Sequence, residues 1–445
     1  MPRIIDLFAG LGGIRLGFEE AMDKLGLDCE CVFTSEIKPY AIEAYKGFYG
    51  DEDIFGDITT VNPQTDIPNF DFLLAGFPCQ PFSSAGLRNG FADTRGTMFF
   101  EIERILKEKI KSGNPAKGFL LENVEGLTTH DGGKTLDTIM THLRRLGYVV
   151  NYNVLDSRFF GLPQSRKRVY IVGTLSENID LEHFNVRRAV LGDILEHGLP
   201  TVDTDFTRHL LGSYTPQQVV GKSIKDKRGG PNNIHSWEIE LKGHTTPQER
   251  ALLNQLLKER RKKQWAEIIG IKWMDGMPLT EAQIRTFFDV ENLHEMLVDL
   301  TDKGYLAYEH PKKQIIEDNG IMRRVPDTTK EKGYNIIAGK LSFEFSKILD
   351  PDDIAPTLVA MDVAKLGIVD GNGIRRLTIR ECQRLCGYPD NYSLTGISES
   401  EAFDLLGNTV CVPVIKEIAI RLGQYYLKQE SIKKAHIATE ERARA

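Results

Sequence analysis

The period of the apolar positions changes along the chain. Up to Thr174, short uninterrupted apolar runs alternate with stretches in which apolar residues recur every third or fourth position. The runs predict strands over residues 3–9, 31–36, 71–77, 118–124, 149–156 and 167–174. The recurrence predicts helices over 101–111 and 134–146. Such alternation is the pattern of a parallel sheet covered by helices on both faces. From Ser176 to Asp370 the regularity gives way to Gly-Gly and Gly-Pro turns, charged segments and short strands. Beyond Arg375 the helical pattern returns over 378–386, passes a turn at 387–390 and resumes over 412–428. The charged tail, 431–445, is expected to fray.

Composition narrows the class. A chain of 445 residues is too long for one ordinary core. Its expected divisions are a catalytic and cofactor-binding part at 1–182, a second domain at 183–372, a return at 373–428 and the tail at 429–445. Apolar residues make up 41% and charged residues 27%, values of a globular protein. No apolar run approaches the roughly 20 residues of a membrane span. The N-terminus runs directly into a strand without a signal-peptide layout, so a cytoplasmic protein is expected. Six scattered cysteines in so long a chain do not form a disulfide framework. Neither Cys29 with Cys31 nor Cys382 with Cys386 has further ligands beside it, so no metal is expected. The net charge of −7 means that any nucleic-acid footprint must be a local basic patch.

The segment Asp6-Leu7-Phe8-Ala9-Gly10-Leu11-Gly12-Gly13 follows the first predicted strand and opens a helix. Glycines there allow a ligand close to the backbone, and a helix N-terminus offers free N–H groups. Glu36 ends the second strand, where a carboxylate can hold ribose hydroxyls; Asp57 follows the third and suits an adenine amino group. These features together favour an adenosine ligand without naming it.

The most informative stretch is Leu73-Leu74-Ala75-Gly76-Phe77-Pro78-Cys79-Gln80-Pro81-Phe82-Ser83. A buried strand here delivers a thiol at its C-terminal end, the end at which open parallel sheets bind ligands. If the first and fourth strands are neighbours, the glycine loop and Cys79 come side by side. The next strand ends in Glu122-Asn123-Val124, placing a carboxyl group beside the thiol. Such a pair suits nucleophilic catalysis, with the acid's pKa raised by its pocket and the thiol's lowered.

These motifs closely resemble the DNA cytosine-5 methyltransferases, in the family's order and over nearly all of the catalytic part. The resemblance implies a Rossmann-like methyltransferase sheet with a smaller, mixed target-recognition domain. The implied cofactor is S-adenosyl-L-methionine, leaving as S-adenosyl-L-homocysteine. Phe8, Gly10, Gly12, Gly13, Glu36, Ile37, Asp57, Ile58 and Pro78 would bind it, with Asn408 and Val410 from Gly407-Asn408-Thr409-Val410-Cys411 closing the pocket. Cys79 would attack carbon 6 of a flipped cytosine while Glu122 holds ring nitrogen 3. Asn123, in the same motif, is expected to join the catalytic set. In Gln164-Ser165-Arg166-Lys167-Arg168, Arg168 would reach the base's carbonyl and Arg166 would order the site. Gln80, Ser83, Arg88, Arg95, Gln164 and Thr357 are expected on the DNA, with Arg88 and Arg95 in a closing loop.

The resemblance makes double-stranded DNA the partner, places sequence choice in 183–372, and suggests the modification enzyme of a bacterial or phage restriction–modification system with a cognate endonuclease. Basic candidates for the DNA face are Lys222, Lys225, Lys227, Arg228 and 260–263. Within 246–311, a basic helix at 247–265, helices at 279–288 and 292–301, and a strand at 304–308 read either as a purely structural helical insert or as a winged helix-turn-helix with its second helix, 292–301, in a groove. An RNA cytosine methyltransferase and a catalytically silent DNA-binding regulator are the rival readings. A nicotinamide dehydrogenase would leave Pro78-Cys79-Gln80 without a purpose.

Overall fold

The computed structural model describes residues 1–78, 98–227, 229–270, 276–316, 322–337 and 343–444. Its first four parallel strands are β1 (Arg3–Leu7), β2 (Glu30–Ser35), β3 (Ile54–Phe55) and β4 (Phe72–Gly76). They join β5 (Gly118–Val124), β6 (Val149–Asp156) and β7 (Lys167–Thr174) in one sheet of order β3-β2-β1-β4-β5-β7-β6. Strand β7 runs antiparallel to both of its neighbours. The crossovers carry α1 (Gly13–Lys24), α2 (Pro39–Tyr49), α3 (Met98–Lys111) and α4 (Lys134–Arg145).

Alternate side chains of a strand point to opposite faces, and here both faces are covered. Ile5, Leu7, Leu73, Ala75, Phe119 and Leu121 pack under Ile102 and Ile105 of α3 and Ile139 and Leu143 of α4. Ile4, Phe72, Leu74 and Leu120 pack under Phe18 and Met22 of α1 and Ile415 and Ile418 of the C-terminal helix. This double burial is why the strands read as unbroken apolar runs. Strand β1 pairs with β2 on one side and β4 on the other, so strand order reverses between β1 and β4.

The chain divides into two compact units, Met1–Glu196 with Pro351–Val363 and Thr378–Ala445, and His197–Asp350 with Ala364–Leu377. The second unit is therefore narrower than the expected 183–372. The segment Pro351–Val363 belongs to the first because Ser165 N–H donates to Ala355 O (3.0 Å) and Ala355 N–H to Pro163 O (2.8 Å).

The second unit holds α5 (Asp205–Ser213), α6 (Pro216–Val219), β8 (Ser223–Ile224), β9 (Asn233–Ile234), α7 (Pro247–Glu259), α8 (Lys263–Ile269), α9 (Glu281–Arg285) and α10 (Leu293–Asp302). It continues with β10 (Leu306–Glu309), β11 (Lys312–Ile316), β12 (Met322–Pro326), β13 (Gly333–Ile336), β14 (Lys347–Ile348), β15 (Leu366–Asp370) and β16 (Gly373–Arg376). The expected single helix over 247–265 is two. The Arg260 carbonyl leaves the helical ladder to accept from Met277 N–H at 2.8 Å.

Back in the first unit lie α11 (Ile379–Cys386), α12 (Glu399–Asn408) and α13 (Val412–Arg444). Thr378 caps α11 by accepting from Glu381 N–H. Contrary to the expected fraying, α13 is helical to Arg444. Its last turns contain neither glycine nor proline and consist mainly of good helix formers.

Candidate active site

Three strand ends build the first half of the site. Just past β1, Phe8 adopts φ 56° and Gly10 φ 54°, both left-handed. For glycine that conformation costs nothing; for phenylalanine it costs on the order of 1–2 kcal/mol. A Cβ at Gly10 would meet nothing within 4 Å, so this glycine answers to its backbone angle and faces open space.

Gly12 and Gly13 differ. A Cβ at Gly12 would lie 2.5 Å from the Tyr49 ring, and one at Gly13 2.3 Å from the Tyr388 hydroxyl. At these two positions tyrosine side chains approach the backbone closely. The loop's carbonyls are pinned as well. Tyr49 Oη donates to Gly12 O at 2.8 Å and Tyr392 Oη to Leu11 O at 2.7 Å.

Past β2, the Glu36 carboxylate accepts from Gly10 N–H (2.8 Å), Ile37 N–H (2.8 Å) and Lys38 N–H (2.9 Å). It is thereby fixed against the glycine loop. Ile37 beside it is 68% exposed, an apolar side chain left open next to a buried acid. Past β3, exposed Asp57 accepts from Thr59 N–H at 2.9 Å. The Ile58 side chain sits in the sheet's core at 2% exposure, which leaves its backbone as the part that could meet a cofactor. From the C-terminal side, Val410 packs near Gly13, and Asn408 Nδ2 is tied to Asp404 Oδ1 (3.0 Å). Asp404 in turn pairs with Lys38 Nζ at 2.8 Å. A strained aromatic, an open glycine, a fixed carboxylate and an exposed isoleucine at successive strand ends fit an adenosine-containing methyl donor.

The second half lies at the ends of β4, β5 and β7. Gly76 of β4 is in register with Glu122 of β5, and a Cβ at Gly76 would stand 3.6 Å from Glu122 Oε2. The Glu122 carboxyl therefore lies over the strand end that leads through Phe77 and Pro78. Burial pushes its pKa up, against the opposing field of Arg168 and Arg166. Arg168 Nε reaches Glu122 Oε1 at 3.0 Å. Asn123 Nδ2 donates to Phe77 O at 2.9 Å, fixing the chain where it leaves β4. Its other end accepts from Val124 N–H at 2.8 Å.

Arg166 is 1% exposed and ties its strand to two distant segments through Leu358 O (2.9 Å), Gly407 O (3.1 Å) and Thr409 O (2.5 Å). Gln164 is fully buried: Nε2 donates to Leu385 O at 2.9 Å and Oε1 accepts from Leu358 N–H at 3.2 Å. The expectation that Gln164 contacts DNA is thus corrected; both ends of its amide serve the frame. Thr357 Oγ1 donates to Ser165 O at 2.6 Å, joining the same frame. Cys79, Gln80, Ser83, Arg88 and Arg95 lie outside the described residues.

Sequence reasoning missed Tyr49, Tyr388, Tyr392 and Asp404. The four-residue spacings of Tyr45 with Tyr49 and of Asp404 with Asn408 were available signals. Among the described residues, no group of three His, Cys, Asp or Glu stands ready to hold a metal, and no helix is long and apolar enough to cross a membrane.

Comparison with known proteins agrees with this geometry. A family model described as C-5 cytosine-specific DNA methylase matches residues 2–424. The Type II methyltransferase M.NlaIV of Neisseria lactamica is 55% identical over 427 residues, covering 94% of this chain and 98% of that one. M.HgiCI of Herpetosiphon aurantiacus, also a Type II methyltransferase, is 43% identical over 448 residues, covering 95% and 98%. Among solved structures, the S. pombe Dnmt2 methyltransferase shares the fold with TM-score 0.52 at 17% identity, over 96% of this chain and 99% of that one. A putative DNA modification methyltransferase of an E. coli prophage gives TM-score 0.51 at 18% identity, over 96% and 100%. With the whole catalytic frame matched and relatives aligned almost end to end, the chain belongs to the C-5 cytosine-specific DNA methylases, enzymes that transfer a methyl group from a donor to DNA.

Proposed function

We propose that the protein transfers the methyl group of S-adenosylmethionine to carbon 5 of cytosine within a specific duplex sequence, as the modification enzyme of a Type II restriction–modification system. The observation that carries this reading is the buried Glu122 carboxyl placed over the end of β4, the strand that leads by way of Pro78 into Cys79, with burial pushing its pKa up. The names of M.NlaIV and M.HgiCI support the Type II role. That role implies a cognate endonuclease cutting the same sequence, and a place of work in the bacterial cytoplasm where the DNA lies.

The residues fit the donor as follows. Phe8, Gly10 and Pro78 would flank it, Glu36 would hold the ribose hydroxyls, and Ile37 and Asp57 would hold the adenine. Asn408 and Val410 would close the pocket. When bound, S-adenosylmethionine supplies an electrophilic methyl on a sulfonium.

The target cytosine must leave the stack, because its reacting atoms are hidden within a duplex. The Cys79 thiolate forms a bond to carbon 6 while Glu122 donates its proton to ring nitrogen 3, so the ring's electron pair becomes available at carbon 5. Arg168 orients the Glu122 carboxyl, and Asn123 fixes the approach to Cys79 through Phe77 O. Carbon 5 would take the methyl as its bond to sulfur breaks. A base would then remove the carbon 5 proton, the ring double bond re-forming as Cys79 departs as thiolate, and ring nitrogen 3 would return its proton to the Glu122 carboxylate.

Incubation with a methyl-labelled donor and mixed duplexes, followed by nucleoside analysis, tests the assignment. Label in 5-methylcytosine at one sequence is expected. Label only in another methylated base, or in transfer RNA and not in DNA, would overturn it.

A further inference from the structure

Part of the second unit has the connectivity of a winged helix. Helix α7 is followed by the short α8, an antiparallel bridge between Leu279 and Tyr334, then α9, α10, β10, the β11–β12 hairpin and β13, which pairs with β10. Leu253, Leu256, Ile284, Leu297, Leu306 and Ile336 share its core. In such units the helix at the position of α10 ordinarily enters a DNA groove.

The charge on α10 argues against that here. From Glu291 to Asp302 the chain carries four carboxylates, Glu291, Glu295, Asp299 and Asp302, and no lysine or arginine. Glu295 and Asp302 are exposed, and the outward-facing His294 is engaged by Glu281 at 2.8 Å. A duplex presents one phosphate charge per roughly 1.7 Å of its axis, so an acidic helix is repelled from it.

The opposite charge gathers elsewhere in the unit. A cleft of about 520 Å³ opens between the α7–α8 corner and the hairpin. It is lined by Lys227, Arg260, Arg261, Lys312 and Arg324, with Glu309 the single carboxylate among the described lining residues. Glu309 is held by Asn335 Nδ2 at 2.8 Å. Arg260 is buried and builds the floor, donating to Asn335 Oδ1 at 2.7 Å. Lys227 and Lys312 are exposed, and buried Arg261 Nε finds no hydrogen-bond partner among the described residues.

We propose that the sugar–phosphate backbone of the substrate duplex lies in this cleft, gripped from the α7–α8 corner and the hairpin, and that α10 reads no groove. The proposal rests on the reading that the protein methylates duplex DNA. It corrects the expectation that the unit's last helix does the reading.

The test is duplex affinity by fluorescence anisotropy between 50 and 200 mM salt, a range spanning about a fourfold change in ionic strength. The variants are Lys227→Ala/Arg261→Ala/Lys312→Ala and, on the helix, Glu295→Ala/Val298→Ala. The slope of log affinity against log salt is expected to fall by about 0.9 for each phosphate left unneutralised, roughly 2.7 in the triple variant, for cognate and unrelated duplexes alike. The helix variant should keep its sequence choice and bind at least as tightly as the parent. If the triple variant does not fold, Lys312→Gln on the exposed hairpin arm should still lower the slope by about 0.9.

An unchanged slope in the cleft variants, or altered sequence choice in the helix variant, would overturn the proposal. Methyl transfer by the parent protein is measured in parallel. If the parent methylates duplex DNA and the cleft variants keep its slope, this inference alone falls. If the parent methylates no duplex, the functional reading falls and takes the inference with it.

Discussion

Arg166→Lys offers a quantitative test of how the site is held together. The guanidinium fork spans three carbonyls from two distant segments, Leu358 O on one side and Gly407 O and Thr409 O on the other. A lysine ammonium at the same depth cannot reach both sides, because its three donors radiate from one atom. One or two charge-assisted bonds disappear, at about 1.5–3 kcal/mol each, and the carbonyls they served stay buried. Loss of Nε, which is buried without a partner among the described residues, offsets part of this. The net cost should be about 2–4 kcal/mol.

Urea unfolding of the catalytic unit reads this cost, with a midpoint lower by roughly 1 M for an m-value of about 2–3 kcal/mol/M. The freed 407–410 segment carries Asn408 and Val410, so calorimetry should find the methyl donor bound about tenfold more weakly, a loss of about 1.4 kcal/mol. A midpoint within about 0.3 M of the parent, with donor affinity unchanged, would refute the bridging role.

In the proposed mechanism Glu122 acts in its protonated form, and burial raises its pKa. Activity should therefore fall as pH rises through that raised value. Glu122→Gln should lower kcat by about 10²-fold or more and lose this alkaline limb of kcat/KM; a variant that keeps the limb assigns it elsewhere. Phe8→Gly relieves the left-handed φ of 56° yet removes a ring from the proposed donor site. Stability should hold or rise by about 1 kcal/mol while donor affinity drops, and unchanged affinity would remove Phe8 from the site. Gly13→Ala drives a Cβ to 2.3 Å from the Tyr388 hydroxyl and 2.9 Å from Val410 Cγ2. Thermal unfolding should show a loss of about 1–3 kcal/mol, and a neutral result would deny the close packing.

Much of the fold was legible because the sheet is buried on both faces. Strands β5, β6 and β7 fall on the expected residues, since doubly buried strands leave unbroken apolar runs between polar turns. The reversal of strand order between β1 and β4, on which the pairing of glycine loop and thiol depends, is present. Where pattern and structure part, tertiary contacts decide. Helix 247–265 is broken by a carbonyl leaving for Met277, and nothing local to that segment announces it. The division near residue 351 follows from hydrogen bonds to Pro163 and Ser165, almost two hundred positions earlier in the chain.

At the site, the acids and the loop were legible as types, while their division of labour was not. Gln164 and Ile58 look like ligand-facing members of their motifs but turn inward. Gly12 and Gly13 make room for tyrosines. Tyr392 reaches Leu11 O from more than three hundred residues away, a partnership that no spacing rule contains.

The most direct measurement is covalent capture. A duplex bearing 5-fluorocytosine at the preferred position, incubated with protein and methyl donor, should give a denaturation-resistant adduct whose mass equals protein plus methylated strand and whose tryptic link maps to Cys79. The fluorine cannot leave as a cation, so the thioether persists. Absence of any adduct with the parent protein, or an adduct of equal yield in Cys79→Ser, would contradict the assigned chemistry.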